Sequence, residues 1–378
     1  MTSSVDVSDA VATPAPSAAA SSANALVGRD VLLHSLAKRP ELNGLCGHAS
    51  SYDDDKGRLV VRLPGSEHEK KPLLLKPDNV TRAPVASTAI AACCAAEHAD
   101  EVRERVEAVR AGVGLEGGMQ HVLDLEHTGL RELPAVIGTL SLTQQLWLGS
   151  NELTALPSAL GQLRALKQLD VDANCLATLP ESIGALGALE SLFANANRFT
   201  RLPAALGRLR ALRELRLADN RLADADALPA ELGAGPAGRS LRVLWLARNG
   251  LSALPACVCA CTRLEELDLS GNAELTALPP ALVALRKLSV LELDGVPNLV
   301  RPPADVAKRG AAAVRAWLAD AAEAAVAADA ATATGGPSPE VPYAHEPLDS
   351  MHRPMAPEDL GGVATAEGGG SFVFPGAR

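Results

Sequence analysis

Aromatic residues are scarce in this chain: its 378 residues hold three Trp, two Tyr and four Phe. A register position at which several of them coincide is therefore informative. Basic charge is short as well. Lys and Arg number 35 against 45 Asp and Glu, a net charge of −10, so the basic footprint that nonspecific nucleic-acid binding needs is missing. No stretch approaches ~18 apolar residues without dilution by small ones, so no membrane span is expected. Residues 84–96 are apolar but mostly alanine and too short. Residues 1–25 carry Asp6 and Asp9 and no basic residue. A secretory signal needs a basic start and an aliphatic core, and a transit peptide needs arginine; this Ser/Ala/Pro-rich stretch is expected to be a disordered tail. Catalytic signatures are missing too. There is no G-x-x-x-x-G-K-[ST], no G-x-G-x-x-G opening a helix after a strand, no H-E-x-x-H and no G-x-S-x-G. No cofactor and no metal are expected, and the chain is not expected to be an enzyme.

What is present is a repeat. The chain reads T-Q-Q-L-W-L-G-S-N-E-L-T-A-L-P-S-A-L-G-Q-L-R-A over residues 143–165, L-K-Q-L-D-V-D-A-N-C-L-A-T-L-P-E-S-I-G-A-L-G-A over 166–188, and L-E-S-L-F-A-N-A-N-R-F-T-R-L-P-A-A-L-G-R-L-R-A over 189–211, each 23 residues long. A period of this length carrying L-x-x-L-x-L-x-x-N-x-L resembles the leucine-rich-repeat pattern. The L-x-L core alternates, so it predicts a short strand with Leu146 and Leu148 facing in and Trp147 facing out, and likewise for Leu215 and Leu217 or Leu267 and Leu269. Asn151, Asn174, Asn197, Asn220, Asn249 and Asn272 follow at a fixed offset. An amide both donates and accepts, so stacked asparagines can satisfy backbone groups where the chain turns off the strand. A Leu-Pro pair then ends the strand, and a helical turn with Leu160, Ile183 or Leu206 facing in closes the coil.

No single coil can hide its own leucines; stacking hides them, at ~1.5–3 kcal/mol for each large aliphatic side chain. The expected class is α/β: a right-handed leucine-rich-repeat solenoid, a horseshoe of about eight coils, with a small N-terminal β-barrel. Coils fall at 120–142, 143–165, 166–188, 189–211, 212–240, 241–263, 264–287 and from Leu288 onward. The fifth is long, and its Ala-Asp-Ala-Asp-Ala and Gly-rich Leu232 to Ser240 stretches are expected to loop outward. The expected organisation is a disordered tail over 1–25, a barrel over 26–82, a linker over 83–99, an N-terminal capping helix over 100–119 with Val102, Val106 and Val109 on one face, the solenoid over 120–304, a C-terminal capping helix over 305–333 with Val314, Trp317 and Leu318 on one face, and a second disordered tail over 334–378.

The seven cysteines are odd in number and do not cluster at the ends of the array, where extracellular leucine-rich proteins commonly place disulfides. Reduced thiols and a cytoplasmic location are expected. Cys257, Cys259 and Cys261 alternate, but Cys261 stands where Leu163, Leu186 and Leu209 stand. It reads as a core residue, with Cys257 and Cys259 on the outer side of the coil, rather than as part of a zinc site. His121, Asp124 and His127 lie close in sequence, on what reads as a solvated face rather than an acid–base site.

Partner binding is expected on the concave sheet. Its central outward column is Asp124, Trp147, Asp170, Phe193, Arg216, Trp245, Asp268 and Glu292. Three of the chain's few aromatics occupy it, and exposed rings and arginines mark interfaces. The acidic ends of the column predict a partner with basic flanks around an apolar centre.

Two resemblances extend this reading. R-P-E-L-N-G from Arg39, then Tyr52, K-G-R-L-V-V-R-L from Lys56 and L-L-L-K-P-D-N-V from Leu73 resemble an SH3-like module of algal and protist interaction proteins. The repeat wording L-P-x-x-[LI]-G-x-L, the helix Arg105 to Arg110, and the closing residues Leu293-Asp294-Gly295-Val296-Pro297, Pro302-Pro303 and Trp317-Leu318 resemble the plant intracellular Ras-group leucine-rich-repeat proteins and animal Ras-pathway scaffolds. Val296 stands where that family has asparagine, which puts the last ladder contact in question. The resemblance implies a non-catalytic adaptor whose protein partner is a small GTPase or a signalling enzyme. The alternative is a regulatory or targeting subunit of a phosphatase, kinase or ubiquitin ligase. An enzyme in its own right would need a catalytic unit in residues 1–95 or 335–378, and neither holds a recognisable constellation.

Overall fold

The computed structural model describes residues 23–63, 71–111 and 121–333. The tails expected at 1–25 and 334–378 lie outside the described residues, except 23–25, where Ala23 is buried in the N-terminal core.

Strands β1 (Asp30–Leu33), β2 (Cys46–Asp53), β3 (Arg58–Arg62), β4 (Leu73–Leu75) and β5 (Val80–Arg82) form one antiparallel sheet in the order β4-β3-β2-β1-β5. Alternation sets its buried side: Val31, Leu33, Leu59 and Val61 are fully buried and meet Ala49, Leu63 and Val80 in a core of their own.

The stretch 83–99, expected as a linker, carries structure. Helix α1 (Ala86–Ala91) buries Ala86, Ile90 and Ala91 in the core of the repeat array, beside Val102, Val106 and Val109 of α2 (Ala99–Ala111). Its alanines and its single isoleucine are small enough to slide under α2, so a weak apolar signal still makes a cap. Residues 112–120 are outside the described set.

The repeats build an eight-stranded parallel sheet from β6 (Val122–Asp124), β7 (Gln145–Trp147), β8 (Gln168–Asp170), β9 (Ser191–Phe193), β10 (Glu214–Arg216), β11 (Val243–Trp245), β12 (Glu266–Asp268) and β13 (Val290–Glu292), each paired with its chain neighbour. The leucines on either side of the outward residue are solvent-free, from Leu123 and Leu125 through Leu267 and Leu269. The expected ladder is present. Asn174 accepts from Leu153 N–H at 2.9 Å and donates to Leu148 C=O at 2.8 Å, both one coil back. Asn197 repeats this with Leu176 at 3.0 Å and Val171 at 2.8 Å. The rung in question is missing: opposite Val296, Leu275 N–H turns to Asn272 C=O of its own coil at 3.1 Å. The residue before each asparagine takes a left-handed backbone, Ala173 at φ 52° and Ala196 at φ 51° among them. Such alanines are strained, and the ladder on either side holds them there.

Prolines end each strand region and open 3-10 turns such as Ser158–Gln162 and Ala204–Arg208, which stack along the flank away from the strands. The long fifth coil departs from expectation. Only residues 223–226 form an exposed loop, while the Gly-rich stretch folds inward as α3 (Ala230–Ala234) and a 3-10 turn, with Leu232 and Ala237 buried. In the next coil α4 (Ala256–Cys259) is helical rather than extended, so Cys259 turns inward and is buried, against the outer placement expected for it. Burial pushes the Cys261 thiol up to about 12 and Cys257 up to about 11. The far end closes with α5 (Ala304–Ala307) and α6 (Ala311–Ala333), whose Val314 and Leu318 are buried; Trp317 is only half-buried.

The N-terminal sheet docks on the 3-10 flank of the first two coils. Gln162 is the joint: its Oε1 accepts from Cys46 N–H at 3.0 Å, its Nε2 donates to Cys46 C=O, and the Cys46 thiol reaches Ala135 C=O at 3.2 Å. Both residues are buried. Replacing Gln162 with leucine strands a buried N–H and a buried C=O, each worth ~1–3 kcal/mol. The expected outcome is a thiol at Cys46 that becomes reactive to an aromatic disulfide reagent while the array keeps its unfolding midpoint. Continued protection of Cys46 would show that apolar packing alone holds the joint.

Candidate functional site

Strand register aligns the predicted column. Asp124, Trp147, Asp170, Phe193, Arg216, Trp245, Asp268 and Glu292 pair in succession across the eight strands, on one face. All are half-buried except Glu292, which is exposed on the edge strand. His121 and His127 do not join the column: both have left-handed backbones at the ends of β6.

The centre of the column is where Phe193, Arg216 and Trp245 meet. The Arg216 guanidinium lies 4.7 Å from the Phe193 ring centroid and 4.0 Å from that of Trp245. Its Nε donates to Glu214 Oε1 at 2.7 Å, and the Trp245 indole N–H donates to Glu266 at 2.6 Å. A cation held between two ring faces and neutralised by a carboxylate is a satisfied arrangement. Phe193 and Trp245 are therefore committed to Arg216 on one face each.

The other end of the row differs. Trp147 Nε1 is buried and has no acceptor among the described residues. Asp124 and Asp170 flank Trp147 in the register, and Glu126 and Asp172 follow each of them two residues on. Asp124 is offset by Arg105 of α2, 3.7 Å away. Asp172 is occupied by Asn195, whose backbone N–H and side-chain amide it accepts at 2.6 and 3.0 Å. Asp170 accepts the Asp172 N–H at 2.8 Å through Oδ1. Asp170 and Glu126 converge over Gly149: their oxygens come within 3.4 and 2.9 Å of the point where a Gly149 Cβ would stand. Among the described residues neither carboxylate forms an ion pair. Burial pushes Asp170 up to about 6, with the Asp172 and Glu126 charges adding to the rise and Arg216 opposing it. Burial raises Asp172 as well. Folding thus raises the Asp170 pKa. Stability from this group is fullest below the ordinary carboxylate range and is lost as pH rises through about 6.

Glu126 and Gly149 were missed by the sequence reading. The signal lay two residues beyond the central column, in the third outward position of each repeat: Glu126, Gly149, Asp172, Asn195 and Ala218. Its one glycine leaves a hole between two acids.

Comparison with known proteins places the array. The family described as "Leucine-rich repeat region" matches residues 120–228, and "Leucine Rich repeats (2 copies)" matches 239–299. The solenoid is a leucine-rich-repeat array. Among solved structures the chain is similar to a leucine-rich-repeat protein of Leptospira interrogans, at 30% identity over 51% of this chain and 55% of that one, TM-score 0.40. It is also similar to the leucine-rich-repeat domain of the type III effector XopL, at 25% identity over 56% and 79%, TM-score 0.44. A third similarity is to an internalin from Listeria monocytogenes, at 17% identity over 46% and 51%, TM-score 0.38. The overlap spans about half the length of the first and third of these chains. Among curated proteins nothing matches. Leucine-rich-repeat arrays generally mediate protein–protein interaction and are typically non-catalytic. No described helix is long and apolar enough to cross a membrane.

Proposed function

We propose that this chain is a non-catalytic cytoplasmic adaptor that binds a protein partner across the open face of its leucine-rich-repeat sheet. The observation that carries this reading is the row of half-buried rings and charges from Trp147 to Trp245 on one sheet face, where among the described residues Trp147 lacks the acceptor and the cation that Trp245 has. The sequence resemblance to Ras-group repeat proteins supports a small GTPase as the partner class. The N-terminal sheet is a second binding module in this reading. Its strand order, with β5 returning beside β1 after a 3-10 turn at Pro77–Asn79, supports the SH3-like assignment.

The test is the double substitution Trp147→Ala and Trp245→Ala in the full chain. The buried leucines of β7 and β11 remain, so circular dichroism and the cooperative unfolding transition are expected to persist. Capture of the stoichiometric partner, read by pull-down with mass spectrometry, is expected to be lost. A double variant that still recovers the same partner would remove the open face from the assignment. Recovery of a GTPase supports the scaffold, whereas recovery of one catalytic chain makes this protein a targeting subunit.

A further inference from the structure

The open face repeats one ring spacing twice, with a different residue between the rings each time. Strands β7 and β9 stand as far apart as β9 and β11, two inter-strand steps or about 10 Å. In the second bay Phe193 and Trp245 flank Arg216, whose guanidinium lies between the two rings with Glu214 on its Nε. In the first bay Trp147 and Phe193 flank Asp170. Phe193 is shared by the two bays: Arg216 of β10 lies 4.7 Å from its ring centroid, and Asp170 of β8 is its register partner on the other side. Here the chain supplies carboxylates instead of a cation, Asp170 from β8 and Glu126 from the coil before, converging over the bare Cα of Gly149.

We propose that this bay receives the guanidinium of an arginine side chain from the protein partner, stacked between Trp147 and Phe193 and paired with the carboxylates of Asp170 and Glu126. The inference rests on the open-face reading above and gives that reading a chemistry. A planar guanidinium fits better than a compact ammonium because it offers ring-parallel faces and a fork of donors that can reach two carboxylates at once. Four acids supply the complementary charge: Arg105 pairs with Asp124 and Asn195 occupies Asp172, while the two over the glycine form no ion pair among the described residues, Asp170 accepting only the Asp172 N–H there. Burial and the Glu126 charge both oppose charge on Asp170, and an incoming cation offsets that cost.

A guanidinium pairs with ionised Asp170. The groups facing that carboxyl are Glu126 from the first coil, Asp172 from its own turn and Arg216 from β10. Protonation of Asp170 empties the site of half its charge, so binding weakens as pH falls through about 6 and is full above it.

The three Trp indole N–H signals make the test direct. The full chain, labelled with nitrogen-15 and with each indole assigned by a Trp→Phe substitution, is titrated with acetyl-Gly-Gly-Arg-Gly-Gly-amide. The same peptide with citrulline or lysine at the centre serves as comparison. The expected result is a saturable shift of the Trp147 signal, with Trp245 and Trp317 unmoved, no response to citrulline, and a weaker response to lysine. Asp170→Asn keeps the acceptor for Asp172 N–H and is expected to weaken the arginine peptide at least ~10-fold. Asp294→Asn, exposed after the last strand and outside the column, is expected to change it less than twofold. Equal loss in both variants, an equal response to lysine, or a shift centred on Trp245 would overturn the proposal. Overturning it while the double tryptophan variant still loses its partner would leave the open-face reading in place. Partner capture that survives the double variant would remove that reading whatever the peptide does.

Discussion

Asn174→Ala is expected to lower the unfolding free energy by about 3 kcal/mol, on the scale of ~1–3 kcal/mol for each buried polar group left without a partner. The loss is larger than the side chain's size implies, because the amide serves two coils. It accepts Leu153 N–H at 2.9 Å from the coil before, and it donates to Leu148 C=O at 2.8 Å as well as to Val171 and Asp172 of its own coil at 3.2 and 3.1 Å. Asn174 is the acceptor for Leu153 N–H, while Leu148 C=O also accepts from Asn151 and Val171 C=O from Asn197. Urea unfolding followed by circular dichroism measures the change. A shift of less than about 1 kcal/mol would mean that water enters the turn and replaces the amide.

Gly207→Ala is expected to cost about as much, for a steric reason. A Cβ at Gly207 would stand 2.3 Å from Glu231 C=O oxygen and 2.5 Å from its carbon, both backbone of the next coil. Backbone cannot rotate aside as a side chain can, so the coils must part, and every leucine contact between them weakens. Overpacking of this kind costs roughly 1–3 kcal/mol or more, against the gain of ~0.4–1 kcal/mol that alanine ordinarily brings through the unfolded chain. Gly187→Ala is the control. Its Cβ would meet nothing nearer than the Arg210 side chain at 3.6 Å, and it is expected to be neutral or slightly stabilising. Thermal unfolding of the two variants side by side checks the contrast. Equal midpoints would mean that the stack tolerates a wider coil spacing than its geometry implies.

Both residues illustrate what could be read in advance. The asparagine column follows from spacing alone, since a fixed offset from each strand puts the amides in register. Gly207 occupies an equally regular position, with Gly138, Gly161 and Gly184 before it, yet its reason is visible only across the coil boundary. The irregular stretches were harder. Residues 86–91 are alanine-rich and weakly apolar, and their burial depends on α2 lying above them. The Leu232 to Ser240 stretch has the composition of a loop, but its two buried side chains, Leu232 and Ala237, pull it inward as helical turns. Gln162 gave no signal beyond being a glutamine where other coils place Thr139, Ala185 or Arg208.

By itself the sequence determined the stacked coils and the identity of the outward column, because a strict period leaves one register in which all leucines are buried together. Only the tertiary structure decided what that column does. Arg216 fills one aromatic bay, Asp170 and Glu126 meet over Gly149 in the next, and the N-terminal sheet is pinned to the opposite flank through Cys46 and Gln162. Each of those facts joins residues a full coil or more apart in the chain. Periodicity governs how a coil repeats, whereas the reach and rotamer of individual side chains govern what neighbouring coils do to one another.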